Sequence, residues 1–330
     1  MLTTLYSFCS QTNCADGATP NAVVQGTDGN FYGTTYVGGT STCSGGCGTI
    51  FKITPKGTLA TLYSFCSQTN CTDGVSPTAG LVQGTDGNFY GTTYAGGTSI
   101  CFGGCGTVFK ITSGGTLTTL YSFEGGIDGS EPRGGLVQAT NGSLYGTTEF
   151  AGDLTCDSGL GCGTVFSPYV GLGSFVETRP TSGIEGAKIG VLGQGFDSSS
   201  VVKFGGVQAK TVTTTGTTFL TATVPAGALT GSVTVTTGST KLTSNHTFRV
   251  TPQVKSFTPS DGAEGTVVTI TGTGLKQTRT VTFDGVEAAA HTVESDTEIT
   301  ATVPTGAKTG KIAITTLGGT ATSATSFTIE

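Results

Sequence analysis

The chain has 330 residues, with 55 glycines and ten cysteines but two histidines, one methionine and no tryptophan, and charged residues make up 11% of it. Its net charge of −6 comes from residues 1–173, where ten acids face four bases, while residues 174–330 carry eleven of each. These figures exclude a basic nucleic-acid-binding surface, an apolar run long enough to span a membrane and chemistry that needs several imidazoles. Enrichment in Thr, Val and Gly points to an all-β protein.

The chain opens with Leu2-Thr-Thr-Leu-Tyr-Ser-Phe8, a phrase that returns unchanged at 117–123. It reads as a strand inside a repeat, which places any export signal upstream of Met1. Tyr6, Tyr63 and Tyr121 head the same Leu-Tyr-Ser-Phe phrase at intervals of 57 and 58 residues. Within each unit the order is constant: a Val-Gln run, a Thr-Asp-Gly-Asn or Thr-Asn-Gly-Ser turn, a Tyr-Gly-Thr-Thr run (Tyr32, Tyr90, Tyr145), then Gly-Thr-Ile/Val-Phe. Asp-Gly and Asn-Gly between alternating apolar runs are hairpin signals, because both central turn positions favour positive φ. One unit therefore predicts four short antiparallel strands, and tandem four-stranded units predict a β-propeller-like array. The third unit lacks a fourth strand. The leading strand 2–8 could complete it and close a small ring of three blades; the alternatives are an open array truncated at the N-terminus, or two chains joined as a homodimer of six blades.

The cysteines occupy two slots per unit. Cys9/Cys14 and Cys66/Cys71 fill the first, and Cys43/Cys47, Cys101/Cys105 and Cys156/Cys162 fill the second. The third unit has lost both members of the first slot together, so each slot predicts one disulfide. A four-thiolate zinc site fails for that unit, which has two thiols, and no unit shows the two-residue spacing of structural zinc sites. Disulfides imply an oxidising compartment.

These phrases resemble the bacterial GloVer tandem repeat, marked by Gly-Thr-Val-Phe after a Leu-Tyr-Gly-Thr-Thr hairpin. Gly106 to Phe109 and Gly163 to Phe166 match directly, Gly48 to Phe51 carries Ile50 for Val, and the third unit departs at Ser167-Pro168-Tyr169. The resemblance covers about residues 2–168. It implies a secreted or surface-attached bacterial protein with a propeller-like array and no established activity.

All ten Cys and all nine Tyr precede residue 174, which marks a domain boundary. The remainder repeats at a single offset of 79: Pro180 maps to Pro259, Phe204 to Phe283, Pro225 to Pro304 and Phe248 to Phe327. Each copy holds about seven short strand runs, the size of an Ig-like β-sandwich. The phrases Pro259 to Leu275, Val281 to Val286 and Ile299 to Pro304, and their counterparts Gly193 to Phe196, Val202 to Val207 and Leu220 to Pro225, resemble IPT/TIG domains. The expected domains are thus 1–173 (three repeats), 174–250 and 251–330 (two Ig-like domains). The resemblance implies a spacer or binding module.

Catalytic candidates are weak. His246 and His291 do not recur between the copies. Asp16, Asp73 and Asp128 recur in Asp-Gly and read as turn formers. Glu131, Glu149, Asp153 and Asp157 read as scattered loop acids, without the dense alternation of calcium loops or a pair placed for sugar hydrolysis. Tyr32, Tyr90 and Tyr145 could stack on sugars or pack between units. The expectation is a non-enzymatic extracellular or cell-surface structural or adhesion module, with no cofactor, no metal, no nucleic-acid partner and no membrane span. A carbohydrate-binding module is the alternative, its partner a polysaccharide or another surface protein.

Overall fold

The computed structural model describes residues 2–40, 43, 45–98, 103–156 and 159–330, which fall into two compact units, Met1–Gly173 and Ser174–Glu330. Both are all-β. No helix among the described residues is long and apolar enough to cross a membrane.

In the first unit, strands β1 (Ala18–Gln25), β2 (Phe31–Val37), β3 (Thr49–Ile53) and β4 (Leu59–Ser64) form one antiparallel sheet in chain order. Strands β5 (Val82–Gln83), β6 (Phe89–Thr93), β7 (Thr107–Ile111) and β8 (Leu117–Ser122) repeat it. The third sheet has three strands, β9 (Val137–Gln138), β10 (Leu144–Thr147) and β11 (Val165–Phe166), so one edge of β11 is unpaired within it.

Each residue of the repeated phrases has a structural task. In the turn, Asp28 Oδ1 accepts the Asn30 backbone N–H at 3.1 Å; Gly29 takes a φ of +80° but Asp28 stays out of the positive-φ region, so only one of the two positions expected there adopts it. The glycine of Tyr-Gly-Thr-Thr makes room for a ring. A Cβ on Gly33, Gly91 or Gly146 would lie 2.6, 2.7 or 2.5 Å from Cζ of Phe51, Phe109 or Phe166 on the neighbouring strand. The second threonine meets the threonine of Gly-Thr-Val-Phe: Thr35 and Thr49, Thr93 and Thr107, and Thr148 and Thr164 share hydroxyl hydrogen bonds of 2.9, 2.8 and 2.9 Å. These hydroxyls are buried or nearly so, and the pairing satisfies them.

Consecutive sheets pack through equivalent residues. One cluster joins Tyr32 and Ile50 of the first sheet to Phe65, Leu81, Phe89 and Phe109, and the next joins Tyr90 and Val108 to Phe123, Leu136, Leu144 and Phe166. Gln83 and Thr27, and Gln138 and Thr85, tie the turns of successive units by reciprocal hydrogen bonds.

Residues 2–8 do not complete the third sheet, contrary to the sequence expectation. They carry no strand pairing, and Phe8 packs edge-on against Phe51 at 4.8 Å. Phe65 sits on Phe109 (5.2 Å) and Phe123 on Phe166 (4.9 Å) in the same way. Residues 2–8 thus lead into the first sheet as β4 leads into the second. β4 both pairs with β3 and sets Phe65 against the next sheet, so the absence of pairing between residues 2–8 and β11, rather than the ring contact, is what departs from the closed ring.

In the second unit, one sandwich pairs a sheet of Glu177–Arg179, Lys188–Leu192, Phe219–Thr223 and Val212–Thr214 with a sheet of Val207–Gln208, Val201–Phe204, Val233–Thr237 and Thr240–Thr243. The next sandwich repeats this with Gln253–Thr258, Val267–Thr273, Glu298–Thr302 and Ala290–Val293 facing Asp261–Gly262, Gly319–Ile329, Gly310–Thr316, Thr278–Phe283 and Val286–Glu287. Alternating residues bury two separate cores, and the equivalent ring pairs Phe204–Phe248 and Phe283–Phe327 sit at their centres, 5.0 and 5.3 Å apart. The two sandwiches touch where the Thr230 N–H donates to Gln277 at 2.7 Å.

Candidate functional site

The recurring acids organise loops. Asp16 is fully buried and accepts the Tyr6 hydroxyl (2.8 Å), the Ser10 hydroxyl and N–H (both 3.0 Å) and the Gln11 N–H (3.2 Å). Asp73 repeats the set with Tyr63 (2.7 Å), Ser67 and Gln68. Asp128 takes Tyr121 (3.0 Å) and the N–H groups of Glu124 and Gly126. Burial alone would raise the Asp16 pKa, but these donors hold it below the ordinary carboxylate value. Burial, with the Asp73 carboxylate beside it, pushes the Tyr63 phenol up to about 12. The acids are therefore anchors as well as turn formers. The following glycine completes the anchor: a Cβ on Gly17, at φ +97°, would lie 2.5 Å from the Thr35 hydroxyl.

The same loops carry the cystines. Cys9–Cys14, Cys43–Cys47, Cys66–Cys71 and Cys156–Cys162 are joined. The expected Cys101–Cys105 pair involves Cys101, which lies outside the described residues. Sulfurs of Cys43, Cys47 and Cys66 lie within 4.8 Å of one another. Each belongs to a cystine, and a disulfide sulfur is not the thiolate that zinc requires.

Tyr32 and Tyr90 do not face a ligand. They are 0% and 1% exposed, so neither ring offers a stacking face to a sugar. Tyr32 lies on Phe89, and its hydroxyl donates to Asp28 at 2.8 Å; Tyr90 donates to Asp86 at 2.8 Å. Packing between units required the same recurrence that sugar stacking would have required. Tyr145 is half-buried, and Asn141 donates to its hydroxyl at 3.2 Å.

Sequence reasoning missed the partners of these tyrosines. Lys52 donates to Asp28 at 2.8 Å and lies 5.3 Å from the Tyr32 ring centre. Burial opposes ionisation of Asp28, yet Lys52, Asn30 and Tyr32 outweigh it and hold the carboxyl far below its usual range. Asp86 is lowered similarly by Asn88 and Tyr90, with Lys110 adding a favourable charge. The third unit has Asn141 and Ser167 in the places of the acid and the lysine. Their joint replacement was the signal of a pair.

The other acids are scattered. Glu149 pairs with Arg133, whose guanidinium lies 4.8 Å from the Tyr94 ring centre; Asp153 accepts from Thr155; Asp157 lies outside the described residues. His246 is exposed and His291 half-buried on a strand. Between the sandwiches' loops, Glu185 accepts the Gly227 N–H at 2.6 Å, and burial, then neighbouring Asp296, raises its pKa to about 7.

A cleft of about 250 Å³ opens beside the unpaired edge of β11. Tyr121, Phe123, Ile127, Asp128, Phe166 and Ser167 are among the residues that line it.

Three solved structures are similar in part. SGBP-B from a complex xyloglucan utilization locus in Bacteroides uniformis shares 23% identity over 47% of this chain and 48% of its own, with a TM-score of 0.23. A surface glycan-binding protein from Prevotella bryantii shares 20% over 48% and 39%, with a TM-score of 0.33. SGBP-B of a Bacteroides ovatus mixed-linkage glucan utilization locus, in complex with a mixed-linkage heptasaccharide, shares 19% over 46% and 43%, with a TM-score of 0.22. This chain spans less than half the length of each. Curated proteins give no match. The IPT/TIG domain profile matches residues 252–329, the second sandwich. The profile described as the Gloeobacter/Verrucomicrobia repeat matches residues 1–189, more than half of the chain, and the chain belongs to that family.

Proposed function

We propose that this protein is a non-enzymatic structural or adhesive module of the cell surface or extracellular space, in which the array presents loops and the two sandwiches act as a spacer. The observation that carries this reading is where the recurring polar residues are spent. Asp16, Asp73 and Asp128 hold loops, and Tyr32 and Tyr90 bury their rings between sheets. A ligand or catalytic site needs polar groups converging on an open cavity; here the repeat uses them as scaffold. Cystines in each unit suit an oxidising compartment.

A carbohydrate-binding module is the second reading. It is favoured by the cleft beside β11, where Tyr121 is 42% exposed next to Asp128 and Ser167. Retention of the full chain on insoluble polysaccharides, before and after Tyr121→Ala, separates the two. Retention lost on substitution supports the second reading. Absence of retention together with attachment to cells or matrix protein supports the first. Release of sugar from any polysaccharide in the panel would overturn both.

A further inference from the structure

The first junction between units brings two cystines together. β3 and β4 pair in the register Thr49↔Ser64, and the Phe65 N–H donates to the Gly48 carbonyl at 3.0 Å. Carried one residue further, the ladder sets Cys47 opposite Cys66, on the same face. Their sulfurs and that of Cys43 lie within 4.8 Å of one another. Yet each of the two opposed residues is joined elsewhere, Cys47 to Cys43 and Cys66 to Cys71. Opposed positions of antiparallel strands have Cα atoms about 4.5–5.5 Å apart, inside the range that a disulfide spans. A Cys47–Cys66 bond is therefore an alternative that the backbone already accommodates. The second junction lacks it: the same register, Thr107↔Ser122, sets Cys105 opposite Glu124. Among the described residues no other three sulfurs come as close together.

Burial makes the two sulfurs of the Cys43–Cys47 cystine unequal. Cys47 is 0% exposed, whereas Cys43 is half-buried. A thiol arriving from solvent reaches Cys43 Sγ, and Cys47 is then the sulfur that leaves. The released thiolate stands in the core that Cys66 packs against. The loop that holds Cys66 and Cys71 does not depend on their bond. Asp73 fixes it through the Tyr63 hydroxyl at 2.7 Å, the Ser67 N–H at 2.9 Å and the Gln68 N–H at 3.3 Å. The third unit closes the same loop on Asp128 without a cystine.

We propose that the first junction is a thiol–disulfide exchange site that takes up a low-molecular-weight thiol on Cys43. In the first step the incoming thiolate bonds to Cys43 Sγ and the Cys43–Cys47 bond breaks, its electron pair leaving on Cys47. In the second step Cys47 Sγ bonds to Cys66 Sγ and the Cys66–Cys71 bond breaks. Cys71 leaves as a thiolate and takes the proton that the incoming thiol gave up. Two disulfides and one thiol stand on each side of the reaction, so no oxidant or reductant is consumed. A mixed disulfide beside a released thiolate is ordinarily expelled by the return of that thiolate. Here Cys66 diverts Cys47, and the adduct stays on Cys43. This chemistry goes beyond the structural reading above and is independent of what the loops bind.

Incubation of the full unreduced chain with a concentration series of glutathione, followed by acid quenching, N-ethylmaleimide alkylation and tandem mass spectrometry of the peptides, tests it. Three products are expected together and in equal yield: glutathione on Cys43, a Cys47–Cys66 link and N-ethylmaleimide on Cys71. Glutathione on Cys43 with Cys47 alkylated and Cys66–Cys71 intact would overturn the proposal, and so would the absence of any adduct at Cys43. The variant Cys43→Ser reads the second step alone. It should carry Cys47 joined to Cys66 and one reactive thiol, at Cys71; a reactive thiol at Cys47 instead would contradict the exchange. Replacing Cys66 and Cys71 together by serine removes the acceptor. The yield of Cys43 adduct should then fall by about tenfold or more, because the Cys47 thiolate returns at high effective concentration. An undiminished yield would sink the diversion step. Tyrosine fluorescence during unfolding checks that both variants are folded.

Discussion

Tyr32 lies nearly flat on Phe89, which stands 57 residues further along the chain, with ring centres 4.0 Å apart and planes inclined by 26°. The stack joins the first sheet to the second, and its hydroxyl is held by Asp28 at the turn of its own sheet. One side chain therefore reads both the fold of its unit and the position of the next.

Tyr90→Ala removes a fully buried ring from the equivalent contact and should destabilise the array by about 3–5 kcal/mol. Tyr90→Phe keeps the ring and leaves Asp86 short of a donor, at a cost of about 1–3 kcal/mol. Tyr145→Ala should cost clearly less than Tyr90→Ala, since Tyr145 is half-buried. Tyrosine fluorescence during unfolding reports the array alone, because all nine tyrosines lie in residues 1–173. Equal losses at the two positions would contradict the packing role.

Acid should weaken the array through the depressed carboxyls. Asp16, Asp28 and Asp86 have folded pKa values below the ordinary 3.8, so their contribution is present above that value and is lost as pH falls through the folded values. Asp28→Asn combined with Asp86→Asn should flatten the fall in melting temperature below pH 4. Asn141 shows that the turn accepts an amide.

Glu185 should act in the opposite sense on the sandwich pair. Its folded pKa is raised from 4.5 to about 7, so the folded state binds the proton more tightly and stability declines as pH rises across that window. Glu185→Gln imitates the protonated form and should remove the decline. Calorimetry is the suitable probe, since this unit contains no tyrosine. A slope that persists in the variant would show that another group titrates there.

Replacing Cys66 and Cys71 together by serine should cost about 2 kcal/mol, the loop-closure value for so short a loop, and leave the fold intact. The third unit manages without this pair, holding its loop through Asp128 and the N–H groups of Glu124 and Gly126. Asp73→Ala in the disulfide-free background should be far more damaging than in the wild type, as thermal unfolding of the two double comparisons would show.

Much of this architecture can be read from the repeat. Tyr, Gly and both threonines of Tyr-Gly-Thr-Thr each have one structural task, so their recurrence marks real geometry. The cystine slots were legible because the third unit loses one slot whole. What recurrence does not encode is direction. A tyrosine repeated every 57 residues is required equally by a row of binding platforms and by a stack of interlocking sheets, and Tyr32 belongs to the stack. Residues 2–8 pose the same ambiguity: their sequence suits any fourth strand of the array, yet they carry no pairing with β11, and Phe8 packs on Phe51.

The contacts between units have a consequence for how such an array changes length. Each described junction is built from the same two faces, Tyr and Val on one side and Phe or Leu on the other. A duplicated segment of one period, inserted after Ser64 or Ser122, would meet a compatible face at both of its ends. Growth by whole repeats then requires no compensating substitution, and array length becomes a trait that can vary by single duplication events without passing through a misfolded ancestor.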